Sequence, residues 1–313
     1  MAGELVTGPG LIQWGNLLLG RRQASGTVTP YRWKTLSGWE ETPAVDSGTV
    51  ARAQQYGGYP GRLLAQPRTI TVEGLTVRAA AGAIGTAVRT LNAAMPIGQD
   101  AEQPLVVQTD ERGPLLVQAR LIRRHLPMDG SWALGYAGGG ALQFEATDPR
   151  RYDLAQQAGS AALPQAEVGL AWGNPESSNG LDWGNPESSN GLAWGTPGST
   201  GDITATNAGD AEAHPVIEIH GPCTTPSVTV QGSGVVLEYD LTLAASDTLL
   251  IDTWAGIVLL GTQSRIGYAT LRSQPEGAFV LPPATTSVVS FRSSDPVADP
   301  AAVAIVRWRN AYW

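Results

Sequence analysis

Apolar residues recur along this chain mostly at a spacing of two, the period of a strand with one dry face. Thr69 to Val77 is rich in β-branched residues. From Leu115 to Leu126, Leu115, Val117, Ala119 and Leu121 share one face, and Leu105 to Thr109 pairs with this run as a hairpin around Asp110-Glu-Arg-Gly113. Ala141 to Thr147 turns Leu142, Phe144 and Ala146 inward and Gln143 and Glu145 outward. Leu11 to Leu19 reads as a first strand, with Trp33 and Trp39 in a following loop or hairpin and Ser47 to Pro60 as a Gly-rich extended loop. In the second half Pro215, Ile217 and Ile219 point one way and Val216, Glu218 and His220 the other. Val228–Val230, Val235–Leu243 and Leu249–Ile251 follow, punctuated by Gly232, Gly234 and Asp247. Short strands at this spacing predict a β-sandwich rather than an α/β enzyme domain.

One segment keeps the other period. Val77, Ala81, Ile84, Val88, Leu91 and Met95 alternate steps of four and three, which predicts a helix with one apolar stripe, weakened by Gly82 and Gly85 and stopped by Pro96. Between the halves lies a tandem repeat. Gly169-Leu-Ala-Trp-Gly-Asn-Pro-Glu-Ser-Ser-Asn179 recurs from Gly180 to Asn190 with one change, and in part from Gly191 to Pro197. Trp172, Trp183 and Trp194 therefore recur every eleven residues, each in a Leu-x-Trp unit followed by turn signals. Such units bury no core alone, and three are few for a solenoid. An arm anchored by its tryptophans on its own barrel or on a neighbouring copy is the expectation.

Composition narrows the function. Charged residues make up 15% of 313, below the usual share of about a quarter, while Gly (38) and Pro (22) are plentiful. Residues 1–153 carry 15 basic and 13 acidic side chains and residues 154–313 carry 5 and 15, so the net charge of -8 sits in the second half. Neither half shows a basic stripe for nucleic acid; Arg120 and Arg124 share a strand face and Arg123 takes the other. Lys34 is the only lysine. The most apolar run, Leu249 to Gly261, is interrupted by Asp252, so no membrane span is expected.

Candidate chemistry is sparse. Cys223 is alone, which excludes an intramolecular disulfide and a Cys-x-x-Cys site. His214 and His220 share a strand face about 20 Å apart at ~3.3 Å per residue, too far to hold one metal. Glu218 with His220 makes only two ligands. No nucleophile elbow, zincin helix motif or P-loop occurs. No enzymatic activity, cofactor or metal is expected.

The order of several segments resembles the distal tail proteins of long-tailed bacteriophages, the siphovirus tail component family. The segments are Arg68-Thr-Ile-Thr-Val-Glu-Gly74, Ala146-Thr-Asp-Pro-Arg-Arg-Tyr-Asp153, Asn207-Ala-Gly-Asp-Ala-Glu212, Pro215-Val-Ile-Glu-Ile-His-Gly221, Leu250-Ile-Asp-Thr253, Leu281-Pro-Pro283 with Val288-Val-Ser-Phe291, and Val306-Arg-Trp-Arg-Asn-Ala-Tyr-Trp313. The resemblance implies a mainly β chain: an N-terminal belt barrel with one flanking helix (1–153), a linking repeat arm (154–204), and a C-terminal galectin-like, jelly-roll-type sandwich (205–313). It implies a structural virion protein at the tail tip, a homohexameric ring joining the tail tube protein to the tail-tip hub protein. Tape-measure and receptor-binding proteins are further expected neighbours, and DNA only passes through the lumen. Arg and Trp are common interface anchors; Trp14, Trp33, Trp39, Arg21 and Arg22, with Trp172, Trp183 and Trp194, are the candidates. The runner-up is a carbohydrate-binding or receptor-binding protein in which the repeat tryptophans stack on cell-wall sugars. Against it, no galectin-type His-x-Asn-x-Arg strand exists and Trp254 is followed by Ala-Gly-Ile-Val.

If the repeat tryptophans are anchors, changing Trp172, Trp183 and Trp194 together to Phe removes an emission component that is blue-shifted and poorly quenched by iodide in the assembled protein. A red-shifted, freely quenched component would make the segment a tether.

Overall fold

The computed structural model describes residues 2–21, 29–96, 98, 100–165 and 198–313. The repeat from Gly169 to Pro197 and Arg22 lie outside them. The chain is mainly β and divides into two units, residues 1–155 with 310–313, and residues 156–309.

In the first unit seven strands close on themselves. Their order around the sheet is Gln103–Gln108, Leu11–Trp14, Leu17–Arg21, Tyr31–Trp33, Arg68–Arg78, Tyr136–Ala146 and Leu115–His125, the last pairing back to the first. Closure leaves no open edge on this ring of strands, which would otherwise invite pairing with another chain. Neighbours are antiparallel except Leu17–Arg21 and Tyr31–Trp33, where Gly20 faces Arg32 and Arg21 faces Trp33 in parallel. The predicted hairpin is present, with Leu105 opposite Val117 and Val107 opposite Leu115.

Strand alternation sorts the apolar residues into two sets. Ile12, Trp14, Leu105, Val107, Val117, Ala119, Leu142, Phe144 and Ala146 join the main core inside the barrel. The intervening Leu11, Val106 and Leu116 pack outside it with Val6, Leu18, Tyr152 and Leu154. The Leu11–Trp14 strand is accordingly buried on both faces.

Several stretches differ from the expectation, among them Val235–Leu243, which divides into Val236–Glu238 and Thr242–Leu243. The stretch Leu11 to Leu19 is a hairpin, not one strand, because the chain reverses at Gly15, whose φ of 55° favours glycine. The helix spans Ile84–Ala94, so Val77 belongs to a strand and Ala81 to the turn before it. Gly82, at φ 82°, breaks the run there. The stripe that remains is as the spacing predicts: Ile84, Leu91 and Met95 are buried, and Val88 packs against the same core. Terminal helical carbonyls lack internal partners. Here the Trp14 Nε1–H donates to the Ala94 carbonyl (3.2 Å), and Arg124 donates to those of Asn92 (3.3 Å) and Met95 (2.8 Å). The Tyr31 hydroxyl reaches the Ala87 carbonyl at 2.8 Å.

Where an extended loop is expected over Ser47 to Pro60, the chain forms a thin ribbon. Val45–Asp46 pairs with Leu64–Ala65, and Val50–Ala51 with Gly58–Tyr59. Val50, Tyr56, Tyr59, Leu63 and Leu64 are exposed along it.

The second unit has two main sheets. One runs Gln157–Ala162, Val303–Trp308, Val216–His220, Thr248–Asp252, Ile257–Leu260, Gln263–Ser264, and the other Asp202–Asn207, Thr285–Arg292, Ser227–Val230, Val236–Glu238. Ile217 and Ile219 are buried and Val216, Glu218 and His220 half-exposed, as the alternation predicts. Ile203, Val228, Val230, Val289 and Phe291 are buried on the four-stranded sheet, and Leu249, Ile251, Ala304 and Val306 on the six-stranded one. The Trp308 Nε1–H on one sheet donates to the Thr206 carbonyl on the other at 2.8 Å.

Asn207 is fully buried and organises one end of this unit. Its amide donates to the carbonyls of Ala211 (2.7 Å), Leu281 (3.1 Å) and Pro282 (3.2 Å), and its Oδ1 accepts from the Gly209 N–H (3.1 Å). One side chain thus binds the Asn207–Glu212 turn to the Leu281–Pro283 segment.

Truncating Leu91 to Ala leaves a cavity under the helix and costs about 2–5 kcal/mol. Thr90→Ala, on the exposed side of the same turn, changes stability by less than ~0.5 kcal/mol. Chemical denaturation of both variants measures the contrast.

Candidate interaction surfaces

Among the described residues no group of three or more His, Cys, Asp or Glu side chains could hold a metal ion. His220 Nε2 lies 4.0 Å from Glu218 Oε2, and its Nδ1 lies 2.9 Å from the Thr248 hydroxyl. Glu218 is engaged by Arg307 through two nitrogens at 3.0 and 3.2 Å, which holds its carboxyl below the usual range despite some burial. His214 meets Trp254 edge-on at 5.2 Å. Cys223 is buried, and burial with the nearby Asp295 charge pushes its thiol up to about 11. A thiol so shifted is a poor nucleophile at neutral pH. No described helix is long and apolar enough to cross a membrane.

The densest polar construction lies at one end of the barrel. Arg68 begins the Arg68–Arg78 strand yet is 2% exposed. Its Nε donates to the Pro149 carbonyl at 2.7 Å, and its Nη1 to those of Gly38 (2.9 Å), Trp39 (3.0 Å) and Glu41 (2.7 Å). A buried charge needs such partners, and here Nε and Nη1 have them while Nη2 has none. Burial and the neighbouring Arg151 charge depress its pKa to about 10, so it stays protonated at neutral pH.

The segment Ala146–Asp153 forms the adjoining wall. Asp148 holds Arg150 by contacts of 2.8 and 3.1 Å and accepts from the Tyr152 hydroxyl. Arg151 turns the other way, over the Trp39 ring at 5.9 Å, with Glu40 at 2.9 Å and the Trp313 carbonyl in contact. Glu40 also meets Arg112 at 2.9 Å, and Arg112 binds Asp110. Desolvation would raise the Glu40 pKa, but the two guanidinium groups outweigh it and hold the carboxyl below its ordinary value.

Beside this network opens a cleft of about 390 Å³ lined by Arg21, Trp33, Lys34, Thr35, Leu36, Trp39, Glu40 and Thr109. A smaller, mainly apolar hollow of about 200 Å³ lies at the root of the ribbon, between Thr42, Pro43, Val45, Leu63, Ala65 and Trp313.

Of the residues singled out as interface candidates, Trp14, Trp33 and Trp39 are buried at 2%, 4% and 2% exposure, inside the barrel core. Arg21 is exposed at a strand end, its guanidinium 5.9 Å from the centre of the Trp33 ring. Arg22, Trp172, Trp183 and Trp194 lie outside the described residues. The structure brings Arg21, Trp33 and Trp39 to one cleft and leaves Trp14 behind the helix end. Sequence reasoning missed Lys34, Glu40 and Arg151. The Ala146–Asp153 motif, with two adjacent arginines between acids, was the available signal.

No family model matches the chain, and no curated protein matches its sequence. Solved structures do match its fold. One is the Dit protein (gp 19.1) of phage SPP1, described as a paradigm of the hub adsorption apparatus in phages infecting Gram-positive hosts. It has a TM-score of 0.56 and 14% identity over 90% of this chain and 94% of that one. Chains of the phage P2 baseplate in its activated conformation, with Ca and with Sr, match at a TM-score of 0.48 and 12% identity, over 90% and 95% of this chain and 91% and 96% of theirs. The likeness is one of fold and extends over both units.

Replacing Arg68 by Met leaves four carbonyls without their donor and is expected to cost about 3–5 kcal/mol. Glu40→Gln tests the acid side of the network. A carboxyl depressed in the folded state stabilises above its unfolded pKa of about 4.3, and this is lost as pH falls through the folded value. Wild-type protein is therefore more stable than Glu40→Gln at pH 7, and denaturation midpoints of the two converge below about pH 4.

Proposed function

We propose that this chain is a structural component of a phage tail tip, of the distal tail protein type, rather than an enzyme. The observation that carries the reading is the likeness in fold to SPP1 Dit, which covers 90% of this chain and 94% of that one. In this reading residues 1–153 build a homohexameric ring, 154–204 form the linking arm, and 205–313 make an outward galectin-like sandwich. The ring joins the tail tube protein to the hub protein, near the tape-measure and receptor-binding proteins, around a lumen that passes DNA.

Ring assembly needs one surface to fit a different surface on the next copy. The first unit offers material for both sides: an exposed ribbon with Val50, Tyr56, Tyr59 and Leu63, and the apolar hollow at its root. The half that carries them is close to neutral, so copies pack side by side with little repulsion, while the acidic half keeps its like charges farther apart.

Mass photometry of the full chain at micromolar concentration is expected to show a particle of roughly 200 kDa, six copies of 32.8 kDa, with a central hole in negative-stain images. Raised salt leaves it intact, because its contacts are mainly apolar and between backbones. A monomer that binds neither tail-tube nor hub protein would falsify the reading.

A further inference from the structure

We propose that the cleft between Arg21 and Lys34 is a docking site for carboxylate side chains on an acidic segment of a partner protein. The inference goes beyond the tail-tip reading and stands without it.

The cleft has an excess of positive charge that no described carboxylate neutralises. Arg21 and Lys34 line it, and among the described residues neither has a carboxylate partner. The acid in the lining, Glu40, is already shared between Arg112 and Arg151, each at 2.9 Å. Asp110 is likewise bound by Arg112. The lining thus sets two cations against one carboxylate that is already shared, in a protein whose net charge is -8. Two other arginines of the same unit are matched, Arg120 with Glu145 at 2.6 Å and Arg150 with Asp148 at 2.8 Å.

The Arg21 guanidinium and the root of the Lys34 side chain are held in place. The Arg21 guanidinium lies over the Trp33 ring, and that ring is fixed by its Nε1–H donating to the Gly10 carbonyl at 3.2 Å. The Lys34 stem passes so close to Gly74 that a Cβ there would lie 2.7 Å from the Lys34 Cβ, and Gly74 has φ 65°. A guanidinium set on a rigid ring loses little entropy on pairing, and Arg presents a planar fork that fits a carboxylate with two parallel bonds. Thr35 and Thr109 add neutral hydroxyl donors at the same opening.

The charge pattern selects peptide over polynucleotide. A nucleic acid carries phosphates at regular intervals and needs a track of cations to follow. This surface offers one station, bounded by ion pairs that are already complete. A short acidic segment needs no more than that.

Lys34 is the only lysine, so acetylation with an amine-selective reagent reads this site alone once the terminal amine is resolved by peptide mass spectrometry. With the full-length protein, saturating hexaglutamate is expected to slow Lys34 acetylation about fivefold while hexalysine does not. Fluorescein-labelled hexaglutamate should bind about tenfold more weakly to Arg21→Gln and to Lys34→Gln, and unchanged to Arg89→Gln on the exposed helix face. Binding should weaken as salt rises. Unslowed acetylation would overturn the proposal, and because that measurement uses the wild type it does not depend on how the variants fold. Equal protection by inorganic phosphate at matched charge would reduce the cleft to a small-anion site, and tighter binding of oligodeoxythymidylate would replace peptide with nucleic acid. Either result rejects the proposal.

Discussion

Closure of the barrel is the constraint on which the first unit depends. Pairing of Gln103–Gln108 with both Leu11–Trp14 and Leu115–His125 removes the open edges and encloses the main core. It also explains why the Leu11–Trp14 strand is apolar at nearly every position. One face fills the barrel and the other is covered by the Val6, Leu18 and Tyr152 cluster. The helix then plugs the remaining apolar area, and the barrel returns the favour by capping the helix end with Trp14 and Arg124.

Buried polar side chains do the work that apolar packing cannot. Hydrophobic contact is non-directional, whereas Arg68 and Asn207 each fix several backbone carbonyls in specific directions. Arg68 draws residues 38–41 and 149 to one point, although they are more than a hundred positions apart in the chain. Asn207 does the same for residues 211 and 281–282. Both place loops rather than strands, and loops are where interaction surfaces reside. The cleft beside Trp39 exists because the loop that forms its wall is pinned from beneath.

Much of the fold was legible in the sequence, for a simple reason. A strand with one dry face writes its structure as alternation, so Leu142, Phe144 and Ala146, or Ile217 and Ile219, announce their side of the sheet. The reading went astray where a single glycine changes the path, at Gly15 inside an apolar run and at Gly82 inside an apparent helical stripe. The site was less legible. Arg68 looks like any wet residue at a strand start, because its partners are distant carbonyls that leave no mark on local pattern. Trp33 and Trp39 look like interface residues by type, and their burial follows only from which strands lie next to them. Lys34 stood out as the sole lysine, but nothing in its neighbours shows that Glu40 is already spoken for by Arg112 and Arg151.

The short strand Ala311–Tyr312 pairs with Arg151–Asp153 in the first unit, and the whole of the second unit lies between the two in the chain. Synthesis runs in one direction, so the ribosome must finish residues 156–309 before that pairing can form. The barrel strands, complete by Ala146, can close early; the strand that extends their sheet beyond Arg151–Asp153 arrives only after the second unit. A nascent chain of this protein therefore carries an unpaired strand edge for as long as the second unit takes to emerge, and Ala311–Tyr312 then acts as the latch on a sheet begun about 160 residues earlier.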